Sequence, residues 1–109
     1  MAAVQKVLGQ VAPAITTEVT LYAVPAGKYA VCSTLFVCNR GIAGTVRIIV
    51  RVAGAAPDNK QALYYDAAIP ANETLAMTCG ITLAETDLIV VYASSGDFSF
   101  NLFGTEADV

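Results

Sequence analysis

The sequence predicts an all-β domain, one antiparallel sandwich of about seven or eight short strands. Three observations carry that prediction. Apolar residues alternate with a period of two, most clearly in Thr45-Val46-Arg47-Ile48-Ile49-Val50-Arg51-Val52, where Val46, Ile48, Val50 and Val52 share one face and both arginines the other. Turn-forming clusters recur about every 8–14 residues. Between them there is no stretch long enough, and periodic enough at 3.6 residues, to be a helix.

In chain order, Val4 to Val11 is a candidate first strand. Val19 to Val24 is rich in β-formers and stops at Pro25-Ala26-Gly27, a turn signal. Tyr29 to Asn39 is long and apolar on both faces and stops at Asn39-Arg40-Gly41. After Thr45–Val52 come Ala62–Asp66, entered from Pro57-Asp58-Asn59, and Thr74–Thr78, entered from Pro70-Ala71-Asn72. Ala84-Glu85-Thr86-Asp87 reads as a loop or one turn of helix. Leu88–Ala93 ends at Ser94-Ser95-Gly96-Asp97, and Phe98–Phe103 closes the series before Gly104. This spacing fits a jelly-roll or Ig-like sandwich. The expected organisation is an N-terminal arm or first strand at 1–13, the sandwich at 14–104 and a flexible tail at 105–109.

Composition narrows the function classes. The chain has 109 residues, of which 56% are hydrophobic and only 14% charged, against about 25% charged in a typical soluble domain. Mean hydropathy is +0.60, which excludes a disordered chain. Six Lys and Arg against nine Asp and Glu leave a net charge of -3, so no positive field attracts nucleic acid. No apolar run reaches the ~18–20 residues of a membrane-spanning helix, and no signal peptide is visible. No membrane partner is expected.

Histidine is absent, which removes the commonest general base and metal ligand. No phosphate loop or nucleophile elbow occurs, and Glu85/Asp87 and Glu106/Asp108 read as solvated loop carboxylates. No enzyme activity, cofactor or metal is expected. Cys32 and Cys38, six apart in one strand, lie ~20 Å from each other, too far for a disulfide, whose Cα atoms sit within ~7 Å. The three cysteines read as small buried residues.

The chain carries few charges with which to wet its exterior, so part of that exterior is expected to be contact surface. In Tyr29–Asn39, the alternation puts Tyr29, Val31, Ser33, Leu35 and Val37 on one face. Ala30, Cys32, Thr34, Phe36 and Cys38 fall on the other, and both faces are nearly dry. Either a loop of the same fold or another subunit covers the second face. The candidate partner-contact residues are Val4, Val7, Leu8 and Val11 in the arm, and Arg47 and Arg51, which with Arg40 could form a basic stripe. The arm could instead complete the sandwich, and the arginines could pair across strands with Asp66 or Glu73.

Several segments occur in a recognisable order: Leu21-Tyr22-Ala23-Val24-Pro25-Ala26-Gly27-Lys28, Val37-Cys38-Asn39-Arg40-Gly41, Arg47-Ile48-Ile49-Val50-Arg51, Ile69-Pro70-Ala71-Asn72-Glu73-Thr74-Leu75 and Val91-Tyr92-Ala93-Ser94. The series resembles small β-rich structural proteins of tailed bacteriophages and spans Val7 to Gly104. The resemblance implies a non-enzymatic virion component, made in the bacterial host cytoplasm. It would be a capsid decoration or cement protein, or alternatively a tail, neck, baseplate or fibre subunit or a glycan- or receptor-binding module. The implied partners are other copies of the chain, in a closed assembly such as a trimer, and a phage major capsid or tail protein. The resemblance carries over no functional residue.

Overall fold

The structure is a computed structural model and describes residues 3–109. Met1 and Ala2, the start of the predicted arm, lie outside the described residues. Eight strands form: β1 (Ala3–Val11), β2 (Val19–Ala23), β3 (Lys28–Asn39), β4 (Gly44–Arg51), β5 (Ala62–Ile69), β6 (Thr74–Leu83), β7 (Leu88–Ala93) and β8 (Phe98–Asp108). Single 3-10 turns at Val52–Gly54 and Asn59–Gln61 join β4 to β5.

The strands make two four-stranded sheets, ordered β1-β8-β3-β6 and β2-β7-β4-β5, antiparallel throughout. First pairs with last, second with seventh, third with sixth and fourth with fifth. The chain is thus one long doubled ribbon rolled into two layers, which is the jelly roll. An Ig-like sandwich would order its strands 1-2-5-4 and 3-6-7, so the topology decides between the two predicted architectures.

The inward alternate residues of both sheets meet in one core. Leu35, Val37, Phe98, Phe100 and Leu102 come from the first sheet, and Val46, Ile48, Ile89 and Val91 from the second, all at most 1% exposed. Each contributes on the order of 1.5–3 kcal/mol by leaving water.

Two bulges interrupt the alternation in the first sheet. On β1 the register slips between Val7 and Gly9, and on β3 between Cys32 and Thr34, both opposite the Leu102–Gly104 segment of β8. The bulge at Ser33 shifts the phase of β3 by one residue. Ala30 and Cys32 point inward before it, and Leu35 and Val37 after it, all fully buried. Strict alternation had put Val31 on the face of Leu35 and Val37. Instead Tyr29, Val31 and Phe36 share the outward face, each about 38–39% exposed. The long strand has one dry face and one half-wet apolar face. Val52, expected to continue the inward face of β4, has left the strand and is 67% exposed.

The turns follow their chemistry. Gly27 at φ 81°, with Lys28 N donating to Pro25 O at 3.2 Å, makes Pro25–Lys28 a type II turn, whose third position needs positive φ. Ala84–Asp87 closes the same way, Asp87 N to Ala84 O at 3.2 Å, and is neither helix nor open loop. Asn39 is 1% exposed. Its amide nitrogen donates to the carbonyls of Ile42, Ile69 and Pro70 at 2.7, 3.2 and 3.1 Å. Its amide oxygen accepts from Gly41 N at 3.0 Å. One side chain therefore clasps the β3–β4 and β5–β6 connections.

The predicted flexible tail is a correction. β8 runs on to Asp108, with Glu106 8% and Ala107 2% exposed, and Val109 N still donates to Gly27 O at 2.9 Å. The segment is held because it pairs with β1 on one side and β3 on the other.

Candidate interaction surfaces

The two outward faces of the sandwich differ in chemistry, and register explains the difference. On the β1-β8-β3-β6 sheet the outward positions are Gln5 and Val7 on β1, and Ser99, Asn101, Phe103 and Thr105 on β8. β3 adds Tyr29, Val31, Thr34 and Phe36, and β6 adds Thr74, Ala76, Thr78 and Thr82. The sheet's ionic residues, Lys6, Lys28, Glu106 and Asp108, all fall on the opposite parity. Among the described residues this face therefore carries no charge. At its centre Phe36 and Phe103 meet edge to face, ring centroids 5.8 Å apart at 83°, a preferred aromatic geometry. Shallow concavities flank Phe103 on both sides, and Lys6, at the β1 edge, reaches the rim of one of them.

With strands of 9 to 12 residues at ~3.3 Å per residue and four strands ~4.8 Å apart, the face measures roughly 700 Å². That approaches the ~800 Å² each partner contributes to a standard interface.

The outward face of the second sheet is ionic and internally paired. Arg47 Nε donates to Asp66 at 2.7 Å, and its guanidinium stacks over Tyr65 and Tyr92, 4.2 and 4.4 Å from the ring centroids. Arg51 Nη2 donates to Glu18 at 2.6 Å and Arg51 Nε to Gln61 at 3.4 Å. Asp66 holds the Arg47 guanidinium further above its ordinary value. Arg47 and Arg51 line one shallow concavity, but each spends its charge on a carboxylate of its own chain. Arg40 Nη2 donates elsewhere, to Gly96 O at 3.2 Å. The basic stripe is thus dismantled, and the cross-strand pair with Asp66 is present.

The arm residues also divide. Val4 and Val7 are 51% and 46% exposed. Leu8, in the bulge, turns inward as a member of the core, and Val11 packs against that core. Leu8 is therefore no surface contact, because the extra bulged residue rotates it under β2.

One buried polar cluster escaped the sequence reading. Glu106 accepts from Tyr22 Oη at 2.5 Å and from Lys6 Nζ at 3.2 Å, tying the two sheets together. The Tyr22 hydrogen bond, with help from Lys6, holds the Glu106 carboxyl below its ordinary value despite burial. Burial, then Glu106 itself, pushes the Tyr22 phenol well up. In the sequence Glu106 lies three residues beyond the expected end of β8 at Phe103, where it reads as a tail carboxylate.

All three cysteines are free, Cys32 buried and Cys38 and Cys79 half-buried. Burial pushes the Cys32 thiol up to about 12. Among the described residues no group of three His, Cys, Asp or Glu side chains could hold a metal, and no helix is long and apolar enough to cross a membrane.

No protein-family model matches the sequence, and no curated protein matches it. Among solved structures, the fold is similar to part of a chain in the structure of infectious bursal disease virus, Gx strain. The TM-score is 0.58 at 13% identity, covering 96% of this chain and 32% of that one. The present chain thus spans about a third of the matching chain. At this identity the likeness concerns the jelly-roll fold.

Proposed function

We propose that this chain is a non-enzymatic structural subunit of a virus particle, seated on a protein shell through the outward face of β1-β8-β3-β6. The carrying observation is that face: roughly 700 Å² whose outward positions, among the described residues, hold no charged side chain, centred on the Phe36–Phe103 pair. Burying it removes apolar surface from water and leaves no charge unpaired. The occurrence of a similar fold in a virus structure supports a virion role. The resemblance of the sequence to phage structural proteins agrees with a virion component, and the uncharged face favours a decoration or cement role on a shell.

Such a subunit works by linkage. Anything that binds the assembled shell and not its dissociated parts stabilises assembly, and a lattice of repeated sites lets modest contacts add up. A tail, neck, baseplate or fibre position would use the same face on a different partner. A glycan or receptor site would need an exposed aromatic beside a free carboxylate. Tyr65 and Asp66 come nearest, but Arg47 already occupies both.

The test is immunogold electron microscopy of purified particles of the virus that encodes the chain, together with rebinding of the Phe36→Lys protein. Label over the shell, and a particle-bound fraction at least ~10-fold lower for Phe36→Lys because a lysine must now be desolvated, support the proposal. Label on the tail moves it to the alternative position and overturns the cement role. Absence from particles, or equal rebinding of the variant, overturns it altogether.

A further inference from the structure

A sheet has two edges, and a folded protein blunts or covers the edges it must keep from pairing. This sandwich has four: β1 and β6 in one sheet, β2 and β5 in the other. Three are managed. β1 carries Lys6 and the Leu8 bulge, and it lies against β2 so closely that a Cβ on Gly9 would overlap the Leu21 carbonyl oxygen. β2 is five residues long and itself bulged. β5 is broken by Asp66, left-handed at φ 53°, and slips register against β4 on either side of Ile48.

β6 slips register once, with Cys79 and Gly80 opposite Ser33 of β3, but it is the longest of the four edges and carries none of the other devices. Its ten residues, Thr74-Leu75-Ala76-Met77-Thr78-Cys79-Gly80-Ile81-Thr82-Leu83, include no charge and no proline. Its inward side chains Leu75, Met77, Cys79 and Ile81 all pack against the core, yet each stays only partly buried. They sit half-covered because the sandwich closes on the β1–β2 side and stays open along β6.

We infer that the free edge of β6 pairs antiparallel with β6 of a second copy, joining two four-stranded sheets into one continuous sheet of eight across a twofold axis near Thr78 and Cys79. Self-pairing suits this strand. A twofold contact must be complementary to itself, and an uncharged strand meets its own copy without like-charge repulsion, although each chain carries a net charge of -3. Centred at Thr78 or Cys79, antiparallel pairing sets inward residues against inward ones, extending the Leu75–Ile81 row across the axis. The inference does not depend on the virion role.

Thr78→Lys tests it. The residue is exposed and outward, so the fold should survive, and the substitution brings two lysines together at the axis. Expected results are a dimer of 11.3 kDa chains by light scattering at micromolar concentration and a dissociation constant raised about tenfold or more by Thr78→Lys. The β6 amides not bonded to β3 should be protected from hydrogen exchange in the native protein and lose that protection in the variant. Thr20→Lys on the β2 edge should leave the dimer intact, showing that the effect belongs to β6. A monomer with freely exchanging β6 edge amides would sink the inference. So would a trimer, or a dimer broken by Phe36→Lys and unaffected by Thr78→Lys, which would place self-association on the face instead.

Discussion

Glu106 shows what one residue contributes when its strand carries it inside. Its folded carboxyl lies below the ordinary 4.5, so the stability it adds is present above the unfolded value and is lost as pH falls through the folded one. Tyr22 has the opposite sign. Its phenol is raised above the ordinary 10.0, so its share is complete below that value and drains away as pH rises past it. Urea titrations should therefore show a plateau between about pH 5 and 9 with a falling limb on each side. Glu106→Gln should lower the plateau by about 1–3 kcal/mol and flatten the acid limb, leaving the alkaline limb where Cys32 still contributes. An unchanged acid limb would assign it to other carboxylates. Neither partner of the pair was legible in the sequence, because 84 residues separate them and no local pattern marks the contact. Asn39 is the contrasting case. The motif around it was visible, but its role as a clasp on three carbonyls needs the return of β5 to within reach.

At the scale of elements, period-two alternation marked β4, where one buried face forces that pattern, and β-forming runs between turn signals placed the other strands, with β1 legible as an arm or first strand. Alternation failed where the backbone departs from it. The bulges at Leu8 and Ser33 each insert a residue, and an inserted residue flips every side chain beyond it. Nothing in Val31-Cys32-Ser33-Thr34 announces that flip; it is imposed by β8, where a Cβ on Gly104 would overlap the Val31 carbonyl oxygen. The end of β8 was missed for a related reason. Gly104 and the acidic run after it look like a terminus, yet Gly104 is there because β3 passes too close for a side chain. Deleting Thr105–Val109 should therefore cost at least ~1–3 kcal/mol, the order expected when the buried Tyr22 hydroxyl loses its acceptor, with loss of apolar burial at Ala107 besides. Chemical denaturation of the truncated chain checks this, and an unchanged midpoint would restore the picture of a loose tail.

For the whole molecule, the doubled-ribbon topology sets both its surface and its kinetics. Rolling the ribbon sends the ion pairs Arg47–Asp66 and Arg51–Glu18 to one outer face and leaves the outward positions of the other, among the described residues, without charge, so a shortage of charge spread along the sequence becomes a shortage concentrated on one side. The same roll makes β1 and β8, the two ends of the chain, neighbours in one sheet. β3 and β6 can pair on their own, but β1 joins that sheet only through β8, the last strand, so much of the loop-closure entropy is lost before the contacts that repay it form. Refolding from urea should thus be slow for a 109-residue chain, with a main phase of milliseconds to seconds or longer. Phe100→Ala, at the centre of the core on β8, should shorten the life of the native state; stopped-flow mixing reads both rates. A main phase in microseconds would mean that a local hairpin such as β4–β5 suffices as the nucleus, and that closure of β8 between β1 and β3 follows the barrier instead of making it.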